Sequence, residues 1–163
     1  MSDVDTGVKK DICYTLEVAL EKSIVMEERA FRNFLHAIQL IKDRQAKAIL
    51  REAAKEELAH KQKLEMALLL GHEENAYDLK KELPLMNLSY VYDQKSISAD
   101  ADARTSLAYA IHLEKMEIDF YRALTHGCEG APMIELFKGL LADETRHLQI
   151  LEDFYEKYFL TEN

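Results

Sequence analysis

Two Glu-x-x-His sequences contain the residues of this chain best suited to metal chemistry. They run from Glu57 to His60 and from Glu144 to His147. Residues three apart on a helix project from the same face, so each pair can offer one carboxylate and one imidazole to a single cation. One pair alone is weak evidence, because glutamate and histidine often fall three apart by chance.

A further glutamate precedes each pair at a constant distance. Glu27 lies 30 residues before Glu57, and Glu114 lies 30 residues before Glu144. One offset of 87 residues therefore relates the two halves of a six-residue set: Glu27, Glu57, His60, Glu114, Glu144 and His147. Repetition of three ligand-type residues in register is hard to assign to chance, and it indicates a duplicated ligand set.

Four stretches with helical periodicity carry these residues within their apolar stripes. The predicted helices cover about residues 9–41, 46–70, 99–125 and 132–159. Asp43 suits the N-cap of the second helix, and Gly71 suits the C′ position that ends it. Residues 71–98 read as a long crossover with a short helical turn near 76–82, and Pro132 suits the first position of the fourth helix.

The spacing also places each lone glutamate opposite its Glu-x-x-His pair. The midpoint between the two falls in a predicted turn in each half, at Lys42 and at Glu129. Residues equidistant from the turn of an antiparallel hairpin lie at the same height, here about 22 Å from the turn. Two such hairpins predict an all-α, antiparallel four-helix bundle that forms a single domain over residues 1–163.

Composition and charge exclude several classes of function. The net charge of −9 argues against nucleic acid or an anionic membrane surface as a partner. Cys13 and Cys128 are too few for a disulfide framework, so a reducing cytoplasm is the simplest compartment. Residues 1–10 lack an apolar signal core, and no apolar run is long enough to span a bilayer.

Four carboxylates inside an apolar core need their charges to be neutralised, because each unpaired buried charge costs on the order of several kcal/mol. Two divalent cations would neutralise them while the two histidines remain neutral ligands. Oxygen and imidazole ligands without a thiolate suit iron or manganese better than a structural zinc site. The alternative is that the glutamates are boundary charges paired with lysines and that the histidines are satisfied core residues. The repeated set favours the metal interpretation.

The segments from Glu27 to Phe34 and from Glu114 to Tyr121, with the two Glu-x-x-His helices, resemble the rubrerythrin branch of the ferritin-like superfamily. The resemblance covers about residues 10–70 and 100–160. It implies a ferritin-like bundle with two iron ions, for which manganese or zinc could substitute. It implies the six residues of the repeated set as ligands, with Glu57 and Glu144 as the bridging carboxylates.

Two further residues are candidates for a catalytic role. Glu117 lies one turn beyond Glu114, where the first half has Ala30. Rubrerythrins have an extra carboxylate at this position that can replace a histidine ligand as iron changes oxidation state; the alternative is a boundary charge. Tyr121 is expected to hydrogen-bond to a ligand carboxylate and orient it, or to be a simple core tyrosine. Phe34 holds the matching position in the first half, where the family often has tyrosine.

Three acidic residues adjacent to ligands, Glu28, Glu56 and Asp143, point about 100° away from the ligand face on a helix. They are expected either to be solvated or to support the ligands from outside.

The resemblance implies an enzyme that reduces hydrogen peroxide or dioxygen. With two cysteines, the sequence lacks the four-cysteine rubredoxin site of many rubrerythrins, so electrons would come from a separate rubredoxin-like protein or reductase. An Fe(II)-oxidising iron storage or handling protein and a non-catalytic metal-binding helical module remain as alternatives. A homodimer is expected, with Tyr77, Tyr90 and Tyr92 as candidates for an apolar outer face.

Overall fold

The structure, a computed structural model, describes residues 15–81, 100–127 and 133–160. These residues form four α-helices: α1 (Leu16–Leu40), α2 (Arg44–Glu73), α3 (Ala103–Gly127) and α4 (Ile134–Tyr155). A π-helical turn, Glu156–Leu160, continues α4. Helix α1 packs along α2 and α3 along α4, and the two hairpins meet mainly through α1 and α3. The predicted all-α four-helix bundle is confirmed.

Polar side chains set where three of the helices begin. The side-chain oxygens of Thr15, Asp43 and Asp102 each accept a hydrogen bond from the backbone N–H three residues later. Such bonds satisfy N–H groups that have no partner within the helix. The N-cap predicted at Asp43 is therefore confirmed. Helix α3 begins at Ala103 rather than near residue 99, because Asp102 provides its cap.

Gly71 does not end α2, contrary to the prediction. The helix continues to Glu73, and Asn75 adopts the left-handed backbone conformation, with φ of 49°, that is common just after a helix. Gly71 is buried, and a Cβ added there would lie 2.8 Å from the Leu79 side chain. The absence of a side chain at Gly71 lets the segment that follows α2 pack closely. That segment accepts hydrogen bonds from the first N–H groups of α1 at the carbonyls of Leu79 and Lys81.

We expect Gly71→Ala to lower the free energy of unfolding by about 1–3 kcal/mol, because the Leu79 side chain must move out of a packed position. Gly139 provides a matched control, since it is also helical but has no atom within 4 Å of an added Cβ. Gly139→Ala should raise the free energy of unfolding by about 0.5–1 kcal/mol through helix propensity. Urea denaturation of both variants tests the expectation, and equal effects at the two sites would contradict it.

The crossover is described only in part. Residues 76–81 form a turn in which the Lys81 N–H donates to the Asp78 carbonyl at 3.1 Å, and they contain no helix. Tyr77, predicted on an outer face, is half-buried against the core. Residues 82–99 and 128–132 lie outside the described part of the chain, and with them the predictions for Tyr90, Tyr92, Glu129 and Pro132.

Polar residues at mid-height divide the apolar core into two layers. One layer includes Leu20, Leu64, Phe120 and Phe137, and the other includes Phe34, Leu50, Leu107 and Leu151. The layers hold the four helices in register above and below the polar residues. None of the described helices is both long enough and apolar enough to cross a membrane.

Candidate metal centre

The six side chains of the repeated set come together between the two apolar layers. None of them is more than 2% exposed. They form two groups, and the ligand atoms of each group lie within 4.8 Å of one another. One group contains Glu27, Glu57, His60 and Glu144, and the other contains Glu57, Glu114, Glu144 and His147. Glu57 and Glu144 belong to both groups. This is the arrangement that two adjacent cations with two bridging carboxylates need.

Many carboxylate oxygens of this centre have no hydrogen-bond partner among the described residues. Six of these oxygens are buried and accept no hydrogen bond: Glu27 Oε2, Glu57 Oε2, both oxygens of Glu114, Glu117 Oε2 and Glu144 Oε2. Across the described ranges, none of these glutamates forms an ion pair with a lysine or arginine. The alternative of boundary charges paired with lysines is therefore wrong. Unpartnered buried oxygens at this density fit the requirements of divalent cations.

Burial makes ionisation of these carboxyl groups unfavourable. It raises the pKa of Glu57, Glu114 and Glu117 well above the usual range, and the charge of Glu144 raises each of them further. The pKa of Glu27 is raised for the same two reasons. Protons therefore stabilise the centre when no cation does, and metal binding would displace them.

Both histidines direct Nδ1 toward the shared carboxylates. His60 Nδ1 lies 2.8 Å from Glu144 Oε1, and His147 Nδ1 lies 3.2 Å from Glu57 Oε1. Burial alone would lower the pKa of His60, but hydrogen bonds and the charges of Glu144 and Glu27 raise it to about 10. Burial would raise the pKa of Glu144, yet hydrogen bonds from a neighbouring carboxyl and from both histidines lower it. These hydrogen bonds therefore favour the ionised form of Glu144.

The outer nitrogen of each histidine contacts an acidic residue of the other hairpin. His60 Nε2 lies 3.0 Å from Asp143 Oδ2, and His147 Nε2 contacts Glu56 Oε2. When Nε2–H donates to a carboxylate, the tautomer and the ring orientation are fixed, and Nδ1 remains to bind a metal. Glu56 and Asp143 were expected either to be solvated or to support the ligands from outside. Their contacts with His147 and His60 show the second role. The sequence signal that identifies them is the 87-residue offset, which they share with the ligands.

Glu117 and Tyr121 both face the centre from α3. Glu117 is 2% exposed, so it is not a boundary charge, although it belongs to neither group of four ligand atoms. Its carboxyl group lies close enough for the charges of Glu144, Glu27 and Glu114 to raise its pKa. The Tyr121 hydroxyl donates a hydrogen bond of 2.5 Å to Glu27 Oε1. The predicted hydrogen bond from Tyr121 to a carboxylate of the ligand set is therefore present.

We expect Tyr121→Phe to lower the free energy of unfolding of the metal-free protein by about 1–3 kcal/mol, because Glu27 Oε1 is then left buried without its donor. Tyr158→Phe is the control, since it removes an exposed hydroxyl that donates to Asp43 and should change stability by less than about 0.5 kcal/mol. Denaturant titration measures both. A similar small change in the two variants would show that the hydrogen bond to Glu27 contributes little.

Solved structures with the same arrangement of helices include a protein of Thermotoga maritima described as a ferritin-like diiron-carboxylate protein. It is 20% identical, with 91% of this chain and 98% of that chain covered, and a TM-score of 0.67. A dodecameric thioferritin of Bacteroides fragilis, described as bacterioferritin-related, is 18% identical over 90% of both chains, with a TM-score of 0.63. No curated protein matches the sequence.

A third similar structure is a two-domain protein of Anabaena variabilis with DJ-1/ThiJ/PfpI-like and ferritin-like domains. It is 16% identical, with a TM-score of 0.64; the match covers 91% of this chain but only 38% of that one. The fold and the buried clusters together define a ferritin-like four-helix bundle with a candidate dimetal site. Within it, residues 106–163 match the rubrerythrin family model. The matched segment includes Glu114, Glu117, Glu144 and His147.

Proposed function

We propose that the chain binds two iron ions between its hairpins and reduces hydrogen peroxide or dioxygen. The observation that carries this proposal is the sharing of Glu57 and Glu144 by two buried ligand groups whose carboxylates have no lysine or arginine partner among the described residues. Iron accounts for this set better than structural zinc, because the ligands are oxygen and imidazole without thiolate. Iron, unlike zinc, also supports electron transfer to an oxidant.

A pair of bound Fe(II) ions would supply the two electrons that reduce one molecule of peroxide. The protein would contribute position and charge. Glu57 and Glu144 would bridge the two metal positions, while Glu27 and Glu114 would each bind at one of them. The Tyr121 hydroxyl would hold Glu27 in place. Glu117, buried and able to take up a proton, would exchange with a histidine ligand as the charge of the centre changes.

A groove between α2 and α4 supports access of a small oxidant to the centre. Its volume is about 310 Å³, and it extends from the protein surface to His147. Its walls are largely apolar, with Ile49, Ala53 and Ile150 among the lining residues. The two hairpins pack tightly along α1 and α3 and only loosely along α2 and α4, which leaves this side more open. Peroxide or dioxygen would approach along this groove.

The partners and the location also belong to this proposal. Electrons would come from an external donor, a rubredoxin-like protein or a reductase, and the protein would work in the cytoplasm. Association as a homodimer is supported by large apolar side chains exposed on the outer faces of α1 and α2, including Val25, Leu58, Met66 and Leu69.

The experiment that tests the function is anaerobic loading with Fe(II), desalting, and elemental analysis together with light scattering. We expect about two irons per chain on a small oligomer. Addition of hydrogen peroxide should then oxidise both irons with a stoichiometry of about one peroxide per chain, since each peroxide accepts two electrons. Bound iron that does not react with peroxide or dioxygen would contradict the enzymatic proposal.

Iron oxidation for storage is a second candidate, favoured by the similarity to a dodecameric thioferritin. It predicts a large particle that takes up many irons per chain. The same light-scattering and metal measurements distinguish the two functions.

A further inference from the structure

We infer that the two metal positions are inequivalent, and that Arg146 makes the position at His147 the weaker one. This inference rests on the proposed two-metal centre, and it concerns the order in which the positions fill. It follows from a difference between the two hairpins outside the ligand set itself.

The outer partner of His147 shares its charge with a second donor. Glu56 Oε2 contacts both His147 Nε2 and the Arg146 guanidinium group. Asp143, the corresponding partner of His60, forms no ion pair with a lysine or arginine in the described part of the chain. The two carboxylates are similarly exposed, at 35% for Glu56 and 39% for Asp143, so solvent screens them to a similar extent.

A single position of the internal repeat accounts for this difference. The 87-residue offset relates Glu56 to Asp143 and relates Arg146 to Ala59. Ala59 is exposed on α2. The first half of the repeat therefore has no guanidinium group at the place from which Arg146 reaches across to the opposite hairpin. The asymmetry is a property of Arg146 rather than of the general shape of the bundle.

The consequence for metal binding follows from hydrogen-bond strength. A carboxylate that accepts from a histidine N–H increases the electron density at the opposite ring nitrogen and strengthens its bond to a metal. A guanidinium group on the same oxygen offsets the negative charge of the carboxylate, so the carboxylate is a weaker acceptor for the histidine N–H. His147 is thus the weaker donor and His60 the stronger. The first ion should occupy the position formed by Glu27, Glu57, His60 and Glu144.

The test is a titration of the metal-free full chain with Co(II). Calorimetry and the visible absorption of bound cobalt monitor the binding. We expect two binding steps whose dissociation constants differ by about 10-fold, the lower end of the effect of outer partners on metal affinity. His60→Gln should remove the tight step, whereas His147→Gln should remove the weak one. These two variants assign each step to a position.

Two reciprocal variants then test the role of Arg146. Arg146→Ala should bring the two dissociation constants to within about 3-fold of each other by strengthening the weak step, given the size of such outer effects. Ala59→Arg, which places a guanidinium group near Asp143, should produce the same convergence by weakening the tight step. Arg51→Ala is the control, because it removes an equal charge from an exposed position of α2 and should leave the ratio unchanged.

The outcomes separate the inference from the function on which it rests. If two cobalt ions bind and neither Arg146→Ala nor Ala59→Arg changes the ratio of the two dissociation constants, the role of Arg146 is overturned. The proposed dimetal centre would stand in that case. Convergence in Arg51→Ala as well would show a general charge effect and would also overturn the role of Arg146. Failure of the unmodified chain to bind two ions would instead refute the proposed dimetal centre.

Discussion

Glu144→Gln should reduce the metal content from the proposed value of about two ions per chain to nearly none, which is the largest effect we expect from a single substitution in a two-metal centre. Glu144 belongs to both ligand groups and contacts both histidines. An amide of the same shape cannot neutralise a cation, so both positions of the proposed centre would lose a shared ligand together. Glu57→Gln should behave in the same way, because Glu57 is the other shared residue.

The matched control for this prediction is a residue that belongs to one group only. Glu114→Gln should retain about one ion per chain, since the group that contains Glu27 and His60 stays complete. Glu65→Gln, on the exposed face of α2, should retain both. Elemental analysis after Fe(II) loading and desalting measures all four variants. Retention of two ions by Glu144→Gln would rule out a bridging role for that residue.

The stability of the metal-free protein should decrease as the pH rises from about 5 to about 8, whereas that of the metal-loaded protein should increase. The pKa values of Glu57, Glu114 and Glu117 are raised by burial, and the pKa of His60 is raised to about 10 by its carboxylate neighbours. A group with a raised folded-state pKa stabilises the protein below its unfolded-state pKa, and the contribution is lost as the pH rises through the folded-state pKa. The stabilising contribution of each carboxyl group therefore begins to decrease above about pH 4.3, and that of His60 begins to decrease above about pH 6.5.

Metal reverses this dependence because the cation replaces the protons. At low pH the protons compete with the metal for the same oxygens and for Nδ1 of the histidines, so the loaded protein loses its added stability. Thermal unfolding between pH 5 and pH 8, with chelator or with metal, measures both curves. Glu117→Gln provides the control: without metal it should be more stable than the unmodified chain at pH 8, because burial raises the pKa of Glu117 and an amide has no carboxyl group to ionise. A metal-free protein that becomes more stable toward pH 8 would contradict the prediction.

The helix ends show where local sequence signals succeed and where they do not. Asp43 caps α2 as predicted, because an N-cap depends on the backbone of the next three residues. Gly71 carries an equally good local signal for a helix end, yet α2 continues through it to Glu73. The reason is tertiary, since the glycine is required by the close approach of Leu79. Local sequence cannot distinguish a glycine needed for its backbone from one needed for the space beside it.

The six residues of the candidate centre and their common height in the bundle can be predicted from the amino-acid sequence alone. Helical periodicity places each residue on a known face, and the distances of 30 and 87 residues place equivalent residues level with one another. Which side chains meet across the hairpins could not be predicted in this way. The contacts of Tyr121 with Glu27, Asp143 with His60 and Glu56 with His147 join residues 83 to 94 positions apart. They depend on the rotation of each helix and on the separation of α2 from α4, which result from the packing of both apolar layers at once.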